Sequence, residues 1–389
     1  MDLLFPEAST AGRRRNAGDE DQRLRASALL RAQTVMNIRA RSSIVAGRIA
    51  AGARCRPLPK IHPTTRSLMR PIALAIHGGC GVMAKLDLSE QEWIAARADL
   101  ARSLQAGWAV LAGGGSALDA VEAAVVVMED SPHFNAGHGA ALNAAGEHEL
   151  DAAVMDGSTL AAGAVAAARR IRNPVKAARA VMESGEAVML AGGAADAFAR
   201  EVGLAVVDPS YFTTERRLEA LARMKARAAA GTAQLASEAE KHGTVGAVAC
   251  DGAGRLAAAT STGGYTNKPV GRVGDSPIIG AGTYARDGIC AVSGTGKGEY
   301  FIRHAVGHEV ASRMAYLGES LTAAAAKVIH EDLAPYGIGA GLVAVAADGS
   351  VTAPYNTDGM FRGWVTAEGR FHVASHAEVF EVTEEFARP

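Results

Sequence analysis

The chain has 389 residues, 49% of them hydrophobic and 21% charged, with a formal net charge of −1. This is the composition of a globular protein with a sizeable core, and it excludes a fibrous or low-complexity chain. The balanced total charge gives no nucleic-acid footprint, and no apolar run approaches the ~18–20 residues that span a bilayer.

The charge is unevenly placed. Residues 1–68 carry twelve arginines and one lysine against five acidic residues, a net +8 that leaves −9 on the remainder. This Arg- and Ala-rich segment has no continuous apolar stretch of the secretory kind. It reads as a basic, disordered leader, or as sequence ahead of a true start at Met69.

From Met69 the chain runs into "PIALAIHGG" (71–79), a short apolar run ended by glycines and predicted to be a buried strand. Ser89 with Glu92 forms a capping box for a helix over about 90–111, which Gly113–Gly115 terminate. Ser116 with Asp119 caps the next helix, "ALDAVEAAVVVMED". It is apolar on most sides, so it is expected to pack on a sheet. Residues 131–157 alternate short apolar runs with turn residues and read as a loop and a hairpin. Asn173-Pro174 supplies a cap and a first-turn proline for a third helix, "VKAARAVMES". The polar, Ala-rich stretch 214–243 reads as a flexible linker whose first half has helical propensity.

Beyond it the texture changes to short strands with Asp-Gly turns. Hairpins are predicted around Asp251-Gly252, Asp287-Gly288 and Asp348-Gly349, with one helix over about 298–316. Strands grouped with strands imply an α+β fold with helices covering sheets. The four cysteines, Cys55, Cys80, Cys250 and Cys290, are scattered without a CxxC pair. That fits a reducing compartment, taken as cytoplasmic, and small core residues.

Small and hydroxyl residues are dense in "TSTGGYTNKPVGRVGD" (260–275) and "SGTGKGE" (293–299). A phosphate loop needs GxxxxGK followed by Ser or Thr. Here Gly298 follows Gly296-Lys297, and Ala291 stands five residues before Gly296. No GxGxxG follows a first strand and no HExxH occurs, so nothing marks a catalytic cofactor.

The junction "KHGTVGAVAC" remains. Thr244 stands where a polar segment meets an apolar strand. An internal threonine has no base beside it in sequence. Cleavage of the Gly243–Thr244 bond would put an α-amine on the same residue as the hydroxyl, with an unperturbed pKa of ~7.7–8.0. Glycine before the cut accepts a strained backbone during attack.

On these residues the sequence resembles the isoaspartyl peptidases, or plant-type L-asparaginases, of the N-terminal-nucleophile (Ntn) hydrolase group. The resemblance covers roughly 71–370 and includes "IHGGCG", "FNAGHGAALN", "ELDAAVMDG", "GTGKGEYFIR" and "PYNTDGMFRG". It implies a four-layer αββα sandwich, formed by two chains after self-cleavage. It also implies association as a dimer of αβ pairs, and L-asparagine and β-aspartyl dipeptides as substrates.

By resemblance, Thr244 is the nucleophile and Thr262 the hydroxyl that orients it. Thr295 and Gly296 form the oxyanion-hole pair, assisted by Asn135. Arg272 and Asp275 hold the substrate's α-carboxylate and α-ammonium, with a backbone contact at Gly298. "MEDSPHFNAGH" matches a loop whose carbonyls bind a structural sodium ion, with Met128, Glu129, Ser131, Phe134, Ala136 and His138 at the ligand positions. Two residues depart from the pattern. Lys297 stands where a small residue is common, and His138 where an aliphatic one is. The alternatives are a processing-deficient relative that binds aspartyl ligands without turnover, and a glycosylasparaginase-like hydrolase. Gly243, rather than Asp, before the threonine favours the isoaspartyl type.

Overall fold

The computed structural model describes residues 71–81, 89–232, 243–366 and 368–383. The leader 1–68 and most of the segment Gly231–Gly243 lie outside the described residues.

In chain order the elements are β1 (Ala73–Gly79), α1 (Glu90–Ala112), α2 (Ala117–Glu129), β2 (Leu150–Asp156), β3 (Ala162–Ala168), α3 (Pro174–Ser184), β4 (Met189–Ala191), α4 (Gly192–Glu201) and α5 (Glu215–Ala229). After the junction come β5 (Val245–Cys250), β6 (Leu256–Thr262), β7 (Thr283–Arg286), β8 (Cys290–Gly296), α6 (Gly298–His304), α7 (Val306–Leu317), α8 (Leu321–Lys327), β9 (Ala340–Ala346), β10 (Val351–Thr352), β11 (Phe361–Val365), β12 (Phe371–Ala374) and β13 (Val379–Glu381).

Two sheets result. One has the order β13-β12-β11-β1-β5-β6-β2-β3-β4, the other β10-β9-β8-β7. Pairing is antiparallel except between β3 and β4. Alternation along each strand sorts side chains between two layers of core. Leu74 and Ile76 of β1 and Val245, Ala247 and Ala249 of β5 pack with Leu100, Leu104, Val121 and Val125 of α1 and α2. Ala73, Ala75, Val248, Cys250 and Ala258 cluster with Ala291 and Val343 of the second sheet, whose other face carries Cys290, Val292 and Leu342 under α7 and α8. The fold is α+β, with helices and two stacked sheets in the layered order that the sequence implies. Each fully buried Val or Leu contributes about 1.5–3 kcal/mol, so these two interfaces dominate stability.

Local signals decide most boundaries. Ser89 and Glu92 form the expected capping box, and Ser116 accepts from the Asp119 amide at 3.1 Å. Some elements differ from expectation. Asn173 does not cap α3; its Nδ2 donates to Asp130 at 3.1 Å, and Pro174 alone presets the first turn. The helix over 298–316 is broken at Ala305, which adopts φ 47°, ψ 49° and splits it into α6 and α7. Residues 131–157 hold a long loop and one strand, β2; its hairpin partner β3 lies beyond them, and β6 pairs on its other edge. The first half of 214–243 is the regular helix α5, which buries Ala220, Leu221 and Met224.

Candidate active site

The alternation that sorts the core also aims three threonine hydroxyls. Thr244 precedes β5 and shares the parity of Val248 and Cys250, which face the second sheet. Thr262, at the end of β6, shares the parity of Leu256 and Ala258. On β8, Ser293 contacts His77 and Thr260 of the first sheet, so Thr295 also projects into the space between the sheets. Three strands thus direct three threonines into one interlayer region. All three are buried.

Thr244 Oγ1 donates to Thr262 Oγ1 at 3.4 Å, and Thr262 Oγ1 donates to the Gly243 carbonyl at 2.9 Å. Asn135 Nδ2 donates to the same carbonyl at 2.9 Å and to Gly264 O at 2.5 Å. Its Oδ1 accepts from the Ala141 amide at 2.6 Å, which fixes the side chain at both ends. Gly264 N in turn donates to Thr262 Oγ1 at 3.0 Å. The carbonyl before Thr244 therefore lies in a two-donor cradle, next to a hydroxyl whose proton points along a chain.

The end of β1 closes this cluster. Gly79 adopts φ 110°, and a Cβ there would lie 3.2 Å from both Gly243 Cα and Thr244 N, so only glycine allows the approach. The next residue, Cys80, donates its amide to Thr295 Oγ1 at 3.2 Å. Thr295 and Gly296 reach the cluster through this bridge. With the Cys80 amide on one lone pair, the Thr295 hydroxyl keeps its proton for another acceptor.

Arg272 and Asp275 come together in the loop after β6. The Arg272 guanidinium stacks 4.7 Å from the Tyr265 ring centroid, and its Nε donates to Glu299 Oε1 at 3.0 Å. A Cβ on Gly298 would lie 2.7 Å from Asp275 Oδ1 and 2.9 Å from Arg272 Nη2, which puts all three in contact. Burial pushes the Asp275 carboxyl up to about 7, partly relieved by Arg272, and its Oδ2 has no hydrogen-bond partner. Burial also acts to raise the Glu299 carboxyl, but its bond to Arg272 outweighs this and holds it below the usual range. A guanidinium and an unsatisfied carboxylate side by side match a zwitterion.

Sequence reading missed several groups around this centre. Lys268, fully buried, donates to Glu149 O at 3.0 Å and packs under Gly264. Asp151 pairs in register with Thr262 and is buried with Oδ2 unpartnered; burial raises its carboxyl. His77 Nε2 lies 2.9 Å from Ser293 Oγ, and burial drives its imidazole down to about 3, so it is neutral. Ser293 continues to Thr260 at 2.7 Å, and Thr260 to Thr283 at 2.7 Å. Lys268 lies in the loop after β6, and the signal for the others was polarity inside otherwise apolar strands.

The loop 128–138 folds tightly at Gly137 (φ 50°) and Gly139 (φ 96°). A Cβ on Gly139 would lie 2.8 Å from Pro132 O and 2.9 Å from Phe134 O. Met128, Glu129, Phe134 and Ala136 are fully or almost fully buried, and Ser131 Oγ donates to Asp99. His138 directs Nδ1 to Tyr211 O at 2.7 Å. Glu129 Oε1 accepts from Ser261 at 2.6 Å and from the Val175 amide at 2.9 Å, while burial pushes its carboxyl up to about 8. Among the described residues no group of three or more His, Cys, Asp or Glu side chains forms a metal site.

Residues 69–375 match the family profile described as asparaginase. An isoaspartyl peptidase of Salmonella typhimurium is 47% identical over 301 residues, 76% of this chain and 96% of that protein. The isoaspartyl peptidase of Escherichia coli K12 is 46% identical over 299 residues, covering 76% and 93%. An isoaspartyl peptidase/L-asparaginase of Homo sapiens is 46% identical over 235 residues, covering 60% and 74%.

Proposed function

Because the chain belongs to the asparaginase family, we propose that it is an amide-bond hydrolase acting on isoaspartyl peptides and on the side-chain amide of L-asparagine, with Thr244 as a nucleophile freed by self-cleavage. The observation that carries the mechanism is the pair of donors, Asn135 Nδ2 and Thr262 Oγ1, on the Gly243 carbonyl beside the Thr244 hydroxyl.

In processing, Thr244 Oγ1 attacks the Gly243 carbonyl carbon. The hydroxyl proton leaves along the Thr244–Thr262 contact. The developing oxyanion is stabilised by Asn135 and Thr262, held in place before the reaction. The C–N bond then breaks as the Thr244 nitrogen takes up that proton, Gly243 moves to the threonine oxygen as an ester, and water releases it as a carboxylate. Thr244 is left with a free α-amine as its own base.

In turnover, Arg272 takes the substrate's α-carboxylate and Asp275, in its ionised form, the α-ammonium, with Gly298 alongside. Thr244 attacks the side-chain carbonyl. Thr295 and Gly296, with Asn135, take the oxyanion; the hydroxyl proton that Cys80 leaves free on Thr295 supports this role. The amine leaves, and water hydrolyses the aspartyl ester.

The backbone carbonyls of Met128, Glu129, Ser131, Phe134, Ala136 and His138 would hold a structural sodium ion, which the inward-turned carbonyls near Gly139 support. Its chemistry would be to rigidify the loop that carries Asn135. No helix among the described residues is long and apolar enough to cross a membrane. A cytoplasmic location and a dimer of αβ pairs complete the reading, and the buried Cys80, Cys250 and Cys290 thiols suit a reducing compartment.

The test compares wild type with Thr244→Ala on L-asparagine and β-aspartyl-leucine, with circular dichroism as the folding control. Hydrolysis by wild type alone supports the assignment. A folded alanine variant with wild-type turnover contradicts it.

A further inference from the structure

We propose that Lys297, over the ring of Tyr265, forms a leaving-group subsite that holds the free C-terminal carboxylate of a β-aspartyl dipeptide. The inference rests on the active-site reading above and adds to it a preference between two substrate classes.

Lys297 directly follows Thr295 and Gly296. Its amide donates to Gly339 O at 3.2 Å, which ties its backbone to the start of β9. The side chain is half-buried, and Nζ sits 5.1 Å from the Tyr265 ring centroid. Two cations therefore share one aromatic ring, since the Arg272 guanidinium lies 4.7 Å from the same centroid.

The two cations differ in their partners. Arg272 is paired with Glu299 at 3.0 Å. Among the described residues Lys297 takes part in no ion pair; Glu299 feels its charge only at a distance. The ring quadrupole holds the ammonium without neutralising it. A partly desolvated cation with no carboxylate at the edge of a substrate cleft is suited to an anion supplied by the ligand.

Ligand chemistry separates this anion from the one that Arg272 takes. Arg272 and Asp275 meet at Gly298, whereas Lys297 is the residue before it, at the start of α6. A β-aspartyl dipeptide carries a second carboxylate, on the residue that departs as the amine. L-Asparagine releases ammonia and has none. Lys297 thus assists one substrate class and is indifferent to the leaving group of the other.

The experiment measures kcat/KM for β-aspartyl-leucine, β-aspartyl-leucinamide and L-asparagine with wild type, Lys297→Met and Lys297→Arg. In Lys297→Met the ratio of β-aspartyl-leucine to L-asparagine should fall roughly two- to fivefold, the range of an exposed ion pair. The leucinamide-to-asparagine ratio should not follow it, and Lys297→Arg should recover most of the loss. Wild-type KM for β-aspartyl-leucine should also rise with salt more steeply than in Lys297→Met. A methionine variant whose dipeptide-to-asparagine ratio equals wild type, or whose leucine and leucinamide ratios fall together, overturns the subsite. A wild-type protein inactive on all three substrates overturns the proposed function, and the subsite with it.

Discussion

Asn135 and Gly243 are 108 positions apart in sequence, yet the Asn135 side-chain amide donates to the Gly243 carbonyl at 2.9 Å. The second hydrogen of that amide goes to Gly264, and its oxygen accepts from Ala141. Every polar atom of the Asn135 side chain is used, so its position is set before any bond breaks. With Thr262 as the second donor, the carbonyl before Thr244 sits in a preformed two-donor cradle.

Asn135→Ala and Thr262→Val should therefore each slow self-cleavage. Removing one preorganised oxyanion donor costs on the order of 10²–10³-fold. A gel time course of freshly purified protein measures this. Cleavage at the wild-type rate in both variants would detach the cradle from the chemistry.

Arg272→Ala should impair substrate use and spare processing, because Arg272 makes no contact with the Gly243 cradle in the bonds that define it. A hydrogen bond to a charged group is worth roughly 1.5–3 kcal/mol, or about 10–150-fold in kcat/KM. Steady-state kinetics and a gel on one preparation separate the two effects. An unchanged KM for β-aspartyl dipeptides would remove Arg272 from the aspartyl pocket.

Acidification should weaken binding through Asp275. Burial raises its carboxyl to about 7 in the free enzyme, so below that pH it is increasingly neutral and loses the α-ammonium. The bound ammonium favours the carboxylate and lowers that pKa. The kcat/KM profile should therefore rise through about pH 7, with the same limb displaced to lower pH in kcat. Profiles for L-asparagine with KM independent of pH between about 5.5 and 8 would contradict the role of Asp275.

Gly246→Ala should destabilise the fold directly. A methyl there would collide with Ser293 Oγ and lie 2.5 Å from His77 Nε2, inside the hydroxyl chain between the sheets. Overpacking of this kind costs about 1–3 kcal/mol, and displacing a buried hydrogen bond adds to it. Thermal melts of wild type and variant measure the loss. Equal midpoints would mean that the interlayer space is looser than described.

Local chemistry made much of this legible. The capping box at Ser89 and Glu92 gave the start of α1, and Asp-Gly turns gave three hairpins, because both signals act within a few residues. The break at Ala305 had no such signal: alanine favours helix, and tertiary packing overrides it with a left-handed residue. At the site, the threonines, Arg272 and Asp275 were marked by resemblance, and strand parity explains why the three hydroxyls converge. Tyr265, Glu299 and Lys268 were not marked. Their roles come from who meets whom across the loop after β6, and neither periodicity nor spacing encodes that. The cradle on Gly243 was only half legible, since Thr262 was expected to orient the nucleophile and is found donating to the carbonyl as well.

The central claim is that Thr244 becomes an N-terminal residue. Intact-mass spectrometry of the purified full-length chain, alongside Thr244→Ala, tests it most directly. The account predicts a wild-type fragment spanning Thr244–Pro389 that accumulates with activity, and a single uncut, inactive chain for the variant. A wild-type chain that stays whole while hydrolysing L-asparagine would contradict it.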